Sequence, residues 1–578
     1  IDAVTAHIEK CNKRSALILL DTVGKKWREG LTSDDEGRVI KTASAAGAII
    51  IKRLLKNGSL GVVHSIEHRN PETRLIPKDQ WEQSQARYIR NLGLTKNVGT
   101  YLKHLKPVLR AGLDQLALAI RQGDLTIKDG RLIVPRLQSA QTSPEVGVVR
   151  RRLFDMIGEA QLPDVLINVD AATGFSSKLL GRPARSDKEL VTLYASTLAL
   201  GTDLTAASAA RMVAGVEAKA IARMMARLVA SGTLPAANRA VLEFAAAHDI
   251  AKLWGPGTTA SSDMMSLEAS RHLWSTRIDP RRRSYSIGAY THVLDQWSII
   301  YDQPIVLNRR QAGAAIEGAL RQTTTTIDRL AVDTHGHTHF AMALAKCCGF
   351  DLCPRLAGLH NRKLYLPKGF MVPNELKDIV SPSISTRTIA NGWDGLLRLA
   401  SSVQQGWVPA TFAMDRFGSA AKGDPIYEAG VGLGKLLLTL YLCDYLTKED
   451  FQREIGRLLS QGESIHILQR AIHSKPLGAK TGRDIEELTA ISNALTLLTK
   501  IVVAWNTASM EQVIKSAPAD WRQEHVRHIA PIAHAHINLR GVMTFDLGKH
   551  RDNPFGGEQN KKAHSENVKP NLQINSTP

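Results

Sequence analysis

The chain has 578 residues, 43% of them hydrophobic, enough to bury several sizeable cores. Lys and Arg number 74 against 55 Asp and Glu, a net charge of +19, which implies a polyanionic partner and argues against a cationic one. Five cysteines without CxxC spacing read as reduced, mostly buried thiols rather than a disulfide framework, and the longest apolar runs, such as Leu436 to Leu442, are too short to cross a bilayer.

The chain opens on Ile1 rather than Met, directly in helical sequence, and reads as a piece of something longer. Residues 1–187 mix helices such as Tyr101 to Gln122 with a turn-rich insert at Asn57 to Pro77. Arg150, Arg151 and Arg152 either meet phosphates or are simply solvated. Residues 188–250 are Ala-rich and strongly helical. Their apolar positions, among them Leu193, Leu198, Ile221, Met224 and Leu228, either pack within the protomer or contribute to a dimer contact.

After the breaker Gly255-Pro256-Gly257, a β-prone segment leads to Asp263, whose carboxylate is expected at a strand end. Arg281, Arg282 and Arg283 precede two alternating segments, through Tyr285, Ile287, Ala289, Thr291 and Val293 and then Trp297, Ile299 and Tyr301, which predict two further strands. A helix is predicted from Arg310 to Gln322, just after Arg309. The apolar run from Ile327 then carries Asp333 to the end of another strand, broken by Thr334-His335-Gly336. A helix from His337 to Cys348 and a short strand from Phe350 to Leu356 follow. Apolar residues at helical spacing from Phe451 to Ile472 place Glu463 on a helix, beside Gly462, which lets a ligand or backbone approach. Three strands, helix, strand, helix, strand is the element order of a ribonuclease-H-like domain, in which strand-end aspartates converge and a later helix supplies the last carboxylate.

Two lookalikes fail. Gly430-Val431-Gly432-Leu433-Gly434-Lys435 mimics a phosphate loop, but Leu436 stands where Ser or Thr is needed and the following leucines belong to a buried helix. His335, His337 and His339 alternate and share no helical face, so a loop or helix-start role is preferred to zinc.

Asp333-Thr334-His335-Gly336, Gly462-Glu463-Ser464-Ile465-His466, Ser261-Ser262-Asp263, Trp505-Asn506-Thr507 and His536-Ile537-Asn538 with Gly541 together resemble signatures of the DDE transposases of the Tn-three family of bacterial replicative transposons. The separations, 333 − 263 = 70 and 463 − 333 = 130 residues, match that family's helical insertion before the glutamate. Many members carry glycine after the first aspartate, where this chain has Met264.

The resemblance implies an α-rich α/β fold with a ribonuclease-H-like catalytic domain at 251–475 and a helical insertion at about 360–450. Around it lie a linker and scaffold region at 1–187, an Ala-rich scaffold or dimerisation segment at 188–250, a helical C-terminal domain at 476–547 and a disordered tail at 548–578. Most of the amino-terminal region that recognises the element's ends is expected to be missing. Asp263, Asp333 and Glu463 are implied as ligands of two Mg²⁺ ions, for which Mn²⁺ can substitute, because carboxylates suit hard cations that stabilise attacking and leaving phosphodiester oxygens. His335 and His466 would orient water or touch phosphate. Asn506 would cap or contact DNA, and Arg282, Arg309 and Arg310 are candidate DNA contacts. Trp505 reads as a core anchor.

The implied activity is 3′-end cleavage and strand transfer in replicative transposition. Its partners would be terminal inverted repeats, target DNA and a second copy of the chain, with no membrane, in the bacterial cytoplasm at the nucleoid. The same residues also fit an inactive DNA-binding remnant that inhibits transposition, or a nuclease without strand transfer.

Overall fold

The computed structural model describes residues 25–56, 60–65, 68–135, 137–138, 143–202, 204–307, 310–419, 423–473, 484–516, 523–550 and 555. The predictions for Cys11, for Arg309 and for most of the 548–578 tail therefore lie outside the described residues. The chain divides into two compact units.

One unit combines residues 1–121, 338–349 and 362–443. Its helix His339–Cys347 begins at Thr338, whose hydroxyl caps Ala341 N, and it packs against the long helix Pro425–Thr447. The glycines read above as a false phosphate loop make that contact. A Cβ on Gly434 would lie 1.7 Å from His339 O, one on Gly430 would lie 2.5 Å from the Phe340 ring, and one on Gly432 would lie 3.0 Å from Ile389. The spacing of four keeps Gly430 and Gly434 on one helix face, where they let backbone approach the His339 helix, and Gly432 lies on another face, against Ile389.

The other unit combines residues 122–337, 350–361 and 444–578. Helices α1 (Asp187–Gly201) and α2 (Leu234–Ala247) come from the Ala-rich segment, and Leu193, Leu198, Ile221 and Leu228 are buried in this unit's own core. Next come strands β1 (Thr259–Glu268), β2 (Arg277–Ile278), β3 (Tyr285–Leu294) and β4 (Ile299–Ile305), helix α3 (Ala312–Arg321), and strands β5 (Arg329–Val332) and β6 (Asp351–Pro354). Helices α4 (Glu449–Ile472) and α5 (Ile485–Ser516) complete the set.

These strands form one mixed sheet. The outer edge of β3 carries β2 and β4, its inner edge pairs antiparallel with β1, and β1, β5 and β6 run parallel. Alternation sorts its two faces. Tyr290 and His292 of β3 point toward α3, where His292 Nε2 meets Ala315 O at 3.0 Å and a Cβ on Gly318 would strike the imidazole. Ile287, Ala289 and Val293, one step out of phase, join Met265, Leu267, Ile465, Leu468 and the α5 leucines in the core.

Two sequence expectations change. The strand expected to end at Asp263 runs on to Glu268, because Met264 to Glu268 continue the ladder with Ser286 to Tyr290. Among the described residues, two helices, Pro425–Thr447 and α5, are long and apolar enough by length and composition to cross a membrane, although neither is a strictly apolar run. Gly, Ser and Thr break the runs without adding charge. Here α5 is a core helix, packed against α1, α2, α4 and β4, and a Cβ on Gly201 of α1 would lie 2.5 Å from Leu498 of α5.

Candidate active site

Asp263 sits in mid-strand on the face of the sheet that α4 covers, paired across the ladder with Thr291. Parallel pairing aligns Ser262 with Val332, so Asp333, the residue after β5, stands beside Asp263 on the neighbouring strand. Asp333 Oδ1 accepts the N–H groups of His335 and Gly336, both at 2.9 Å, which closes a single turn and fixes the carboxylate. The sequence break at Thr334-His335-Gly336 is therefore a capped turn.

Helix α4 is pinned over these strands from end to end. Near its start Glu454 pairs with Arg329 of β5 at 2.8 Å. One turn before the site, Gln461 Nε2 donates to Asp295 O at 3.2 Å, just past β3. A Cβ on Gly462 would lie 3.2 Å from Ser261 Oγ, so this glycine lets the helix settle onto β1. His466, one turn later, brings Nδ1 to 3.8 Å from Asp263 Oδ2. Residues 454, 461, 462 and 466 share one helical face, and that register places Glu463 at the rim of the site.

Among the described residues, ligand atoms of Asp263, Glu463 and His466 all lie within 4.8 Å of one another. Burial, then repulsion from Asp333 and Glu463, raises the Asp263 pKa to about 6 against the opposing Met264 N–H bond. Burial lowers the His466 pKa to about 4, so its imidazole is neutral near pH 7. Its Nε2 is buried without a hydrogen-bond partner. Hard carboxylate oxygens, a neutral imidazole and crowded negative charge form a donor set that fits a divalent cation.

Residues 164–542, about two thirds of the chain, match the family model described as the Tn3 transposase DDE domain. The chain belongs to the Tn3 transposase family. The transposase for insertion sequence element IS1071 in transposon Tn5271 of Comamonas testosteroni is 40% identical over 94% of this chain and 56% of its own length. The transposase for transposon Tn1546 of Enterococcus faecium is 26% identical over 92% of this chain and 54% of its own length. The transposase for transposon gamma-delta of Escherichia coli strain K12 is 23% identical over 90% and 54%. The chain thus spans about half the length of the curated relatives it matches. A DDE domain implies use of divalent metal, and the Asp263 cluster of this Tn3-family chain is chemically suited to it.

Asp333, on the neighbouring strand, is not in that group of three, and the remaining predicted residues also fall outside it. His335 is exposed in the turn that Asp333 caps, and Arg282 and Arg310 are exposed on the surface. Asn506 is fully buried rather than facing a ligand. Its amide donates to Pro531 O and Ala533 O at 2.8 and 2.7 Å, and its Oδ1 meets His536 Nε2 at 3.1 Å. All its polar atoms hold the loop that leads into His536-Ile537-Asn538, so it positions that loop. The loop then pairs with Ala160–Gln161 and lines a polar cleft of about 570 Å³ that also touches Ala471 of α4. Trp505, stacked at 6.0 Å on His536, is a core anchor.

Sequence reasoning missed Arg470, whose guanidinium meets Glu463 Oε1 at 2.9 Å. Its spacing of seven from Glu463, two helical turns, was the available signal.

Proposed function

We propose that this chain supplies the catalytic core of a Tn3-like transposase, cleaving DNA at the 3′ ends of a transposon and joining those ends to target DNA. The observation that carries the reading is the gathering of Asp263 and Glu463, 200 residues apart in sequence, around His466 and beside Asp333. The sheet order β4-β3-β1-β5-β6, with β5 and β6 parallel to β1 and α3 against one face, supports a ribonuclease-H-like core.

Asp263, Asp333 and Glu463 would hold Mg²⁺, two ions in the proposed working state, with Mn²⁺ able to substitute. Bound there, the cations would stabilise the attacking and leaving oxygens of an in-line phosphodiester displacement. The chain's own residues prepare the place. The capped turn fixes Asp333, Gly462 seats the helix that presents Glu463, and neutral His466 leaves Asp263 free of a competing cation. Arg470 holds Glu463 at the rim and lies where it can meet a phosphate.

The net charge of +19 fits DNA, both terminal inverted repeats and target, as the partner. A homodimer that works in the bacterial cytoplasm at the nucleoid, with no membrane, completes the proposal.

The test is a labelled transposon-end DNA incubated with Mg²⁺ or Mn²⁺, with Asp333→Ala as control. Cation-dependent nicked and joined products, reduced at least about a hundredfold in the variant, are expected. Nicks without joined products would leave a nuclease, and binding without reaction would leave an inhibitory remnant.

A further inference from the structure

The ligand atoms that the fold gathers most closely are not those of the three acids. Among the described residues, the group within 4.8 Å is Asp263, Glu463 and His466, with Asp333 outside it. Asp333 commits Oδ1 to the N–H groups of its own turn, both at 2.9 Å. His466 is held differently. Its side chain is 2% exposed, its Nε2 is buried without a hydrogen-bond partner, and its Nδ1 stands 3.8 Å from Asp263 Oδ2, beyond hydrogen-bond reach.

Helix α4 sets this arrangement. Glu463 and His466 are three residues apart, so both side chains leave the helix on the same side, one turn from each other. Glu-x-x-His is a spacing at which one helix offers a carboxylate and an imidazole to the same metal site. Gly462 on Ser261 and Gln461 on Asp295 O fix the helix to the sheet just before the pair, and Ile465 and Leu468 on either side of His466 are buried in the core. The imidazole cannot roll away from Asp263 without breaking those contacts. Ligand atoms around one ion bound at about 2.1 Å lie about 3–4 Å apart, a separation that Nδ1 and Oδ2 already have.

A nitrogen donor changes which cation suits the place. Mg²⁺ demands near-ideal octahedral coordination by oxygen and gives up its water reluctantly, whereas first-row transition dications accept imidazole and carboxylate together.

We propose that one cation position is held by Asp263, Glu463 and His466 Nδ1 and takes a first-row dication such as Mn²⁺ in preference to Mg²⁺, while Asp263 and Asp333 offer the second ion an all-oxygen position. The inference rests on the metal reading above and adds to it a nitrogen ligand, a difference between the two positions and a cation class.

The test uses the whole chain without DNA. Mn²⁺ is titrated in, the EPR signal of the free ion gives its affinity, and electron spin echo envelope modulation of the bound ion shows whether nitrogen is directly coordinated. Bound Mn²⁺ should carry nitrogen modulation, and Mg²⁺ should displace it only at an excess of at least about tenfold. His466→Gln should erase the modulation and weaken the tighter Mn²⁺ position at least about tenfold, with Mg²⁺ affinity held within about twofold. His335→Gln should keep the modulation. Bound Mn²⁺ without nitrogen modulation in the wild-type protein overturns the ligand assignment, whether or not the variants fold. Equal losses of Mn²⁺ and Mg²⁺ affinity in a folded His466→Gln overturn the cation preference. If Mn²⁺ binds without nitrogen and is lost in Asp263→Asn, the carboxylate site stands and only this inference falls. Wild-type protein that binds no Mn²⁺ would remove the metal reading along with it.

Discussion

Asp263 and Glu189 show opposite uses of a carboxylate in one unit. Burial and two neighbouring carboxylates disfavour the charge on Asp263, a cost that a cation would relieve. Glu189 is instead saturated with donors at the start of α1. Arg182 Nη1 donates to it at 2.9 Å and Arg185 N at 2.6 Å, and its own N–H is capped by Ser186 Oγ. The Arg182 hydrogen bond, followed by the Arg185 N–H, lowers its pKa from 4.5 to about 2. A depressed acid pKa stabilises the fold above the unfolded value and loses that effect as pH falls through the folded one. Glu189→Gln should therefore lower the unfolding temperature by a few degrees at pH 7. The gap to wild type should close between about pH 4.5 and about pH 2, and a pH-independent gap in thermal melts would contradict the assignment. At this scale the sequence was informative where chemistry leaves a local mark. Asp333 lies beside a turn signal and Glu463 beside a glycine, and both marks were readable. Arg470 carried no mark beyond its spacing.

Two helical glycines separate packing from propensity at the element scale. Gly434 has no room for a Cβ against His339 O, whereas Gly456 of α4 has nothing within 4 Å. Gly434→Ala should cost about 1–3 kcal/mol or more through forced separation of the two helices. Gly456→Ala should be neutral or stabilise by up to about 1 kcal/mol through helix propensity. Urea midpoints for the pair check both signs, and similar shifts would refute the packing account. The same contrast explains what was legible here. Periodicity gave the strands around Asp263 and Asp333 and the helix of Glu463 to within a few residues, because alternation and 3.6-residue spacing are local. The length of β1 was not legible, since Met264 to Glu268 are held by a ladder to a strand about 20 residues downstream. Nor could the glycine-rich stretch be assigned a partner, because His339 and Phe340 meet it only in the fold.

For the whole molecule, charge would set how the proposed DNA partner is met before any chemistry. An excess of 74 − 55 = 19 basic side chains should make non-specific DNA binding fall at least about tenfold between about 50 and 200 mM salt. A flat response would mean that the excess charge faces elsewhere. Composition gave this expectation outright, whereas the division into two units did not show in it, because each unit gathers chain segments far apart in sequence. That interleaving affects the order in which the protein is made. Asp263 and Asp333 leave the ribosome first, and the chain then spends residues 362–443 on the other unit before α4 is synthesised. At about 5–20 residues per second, the 130 residues from Asp333 to Glu463 take roughly 7–26 s. During that interval the nascent polypeptide holds two of the three acids, and the metal site proposed above would be incomplete.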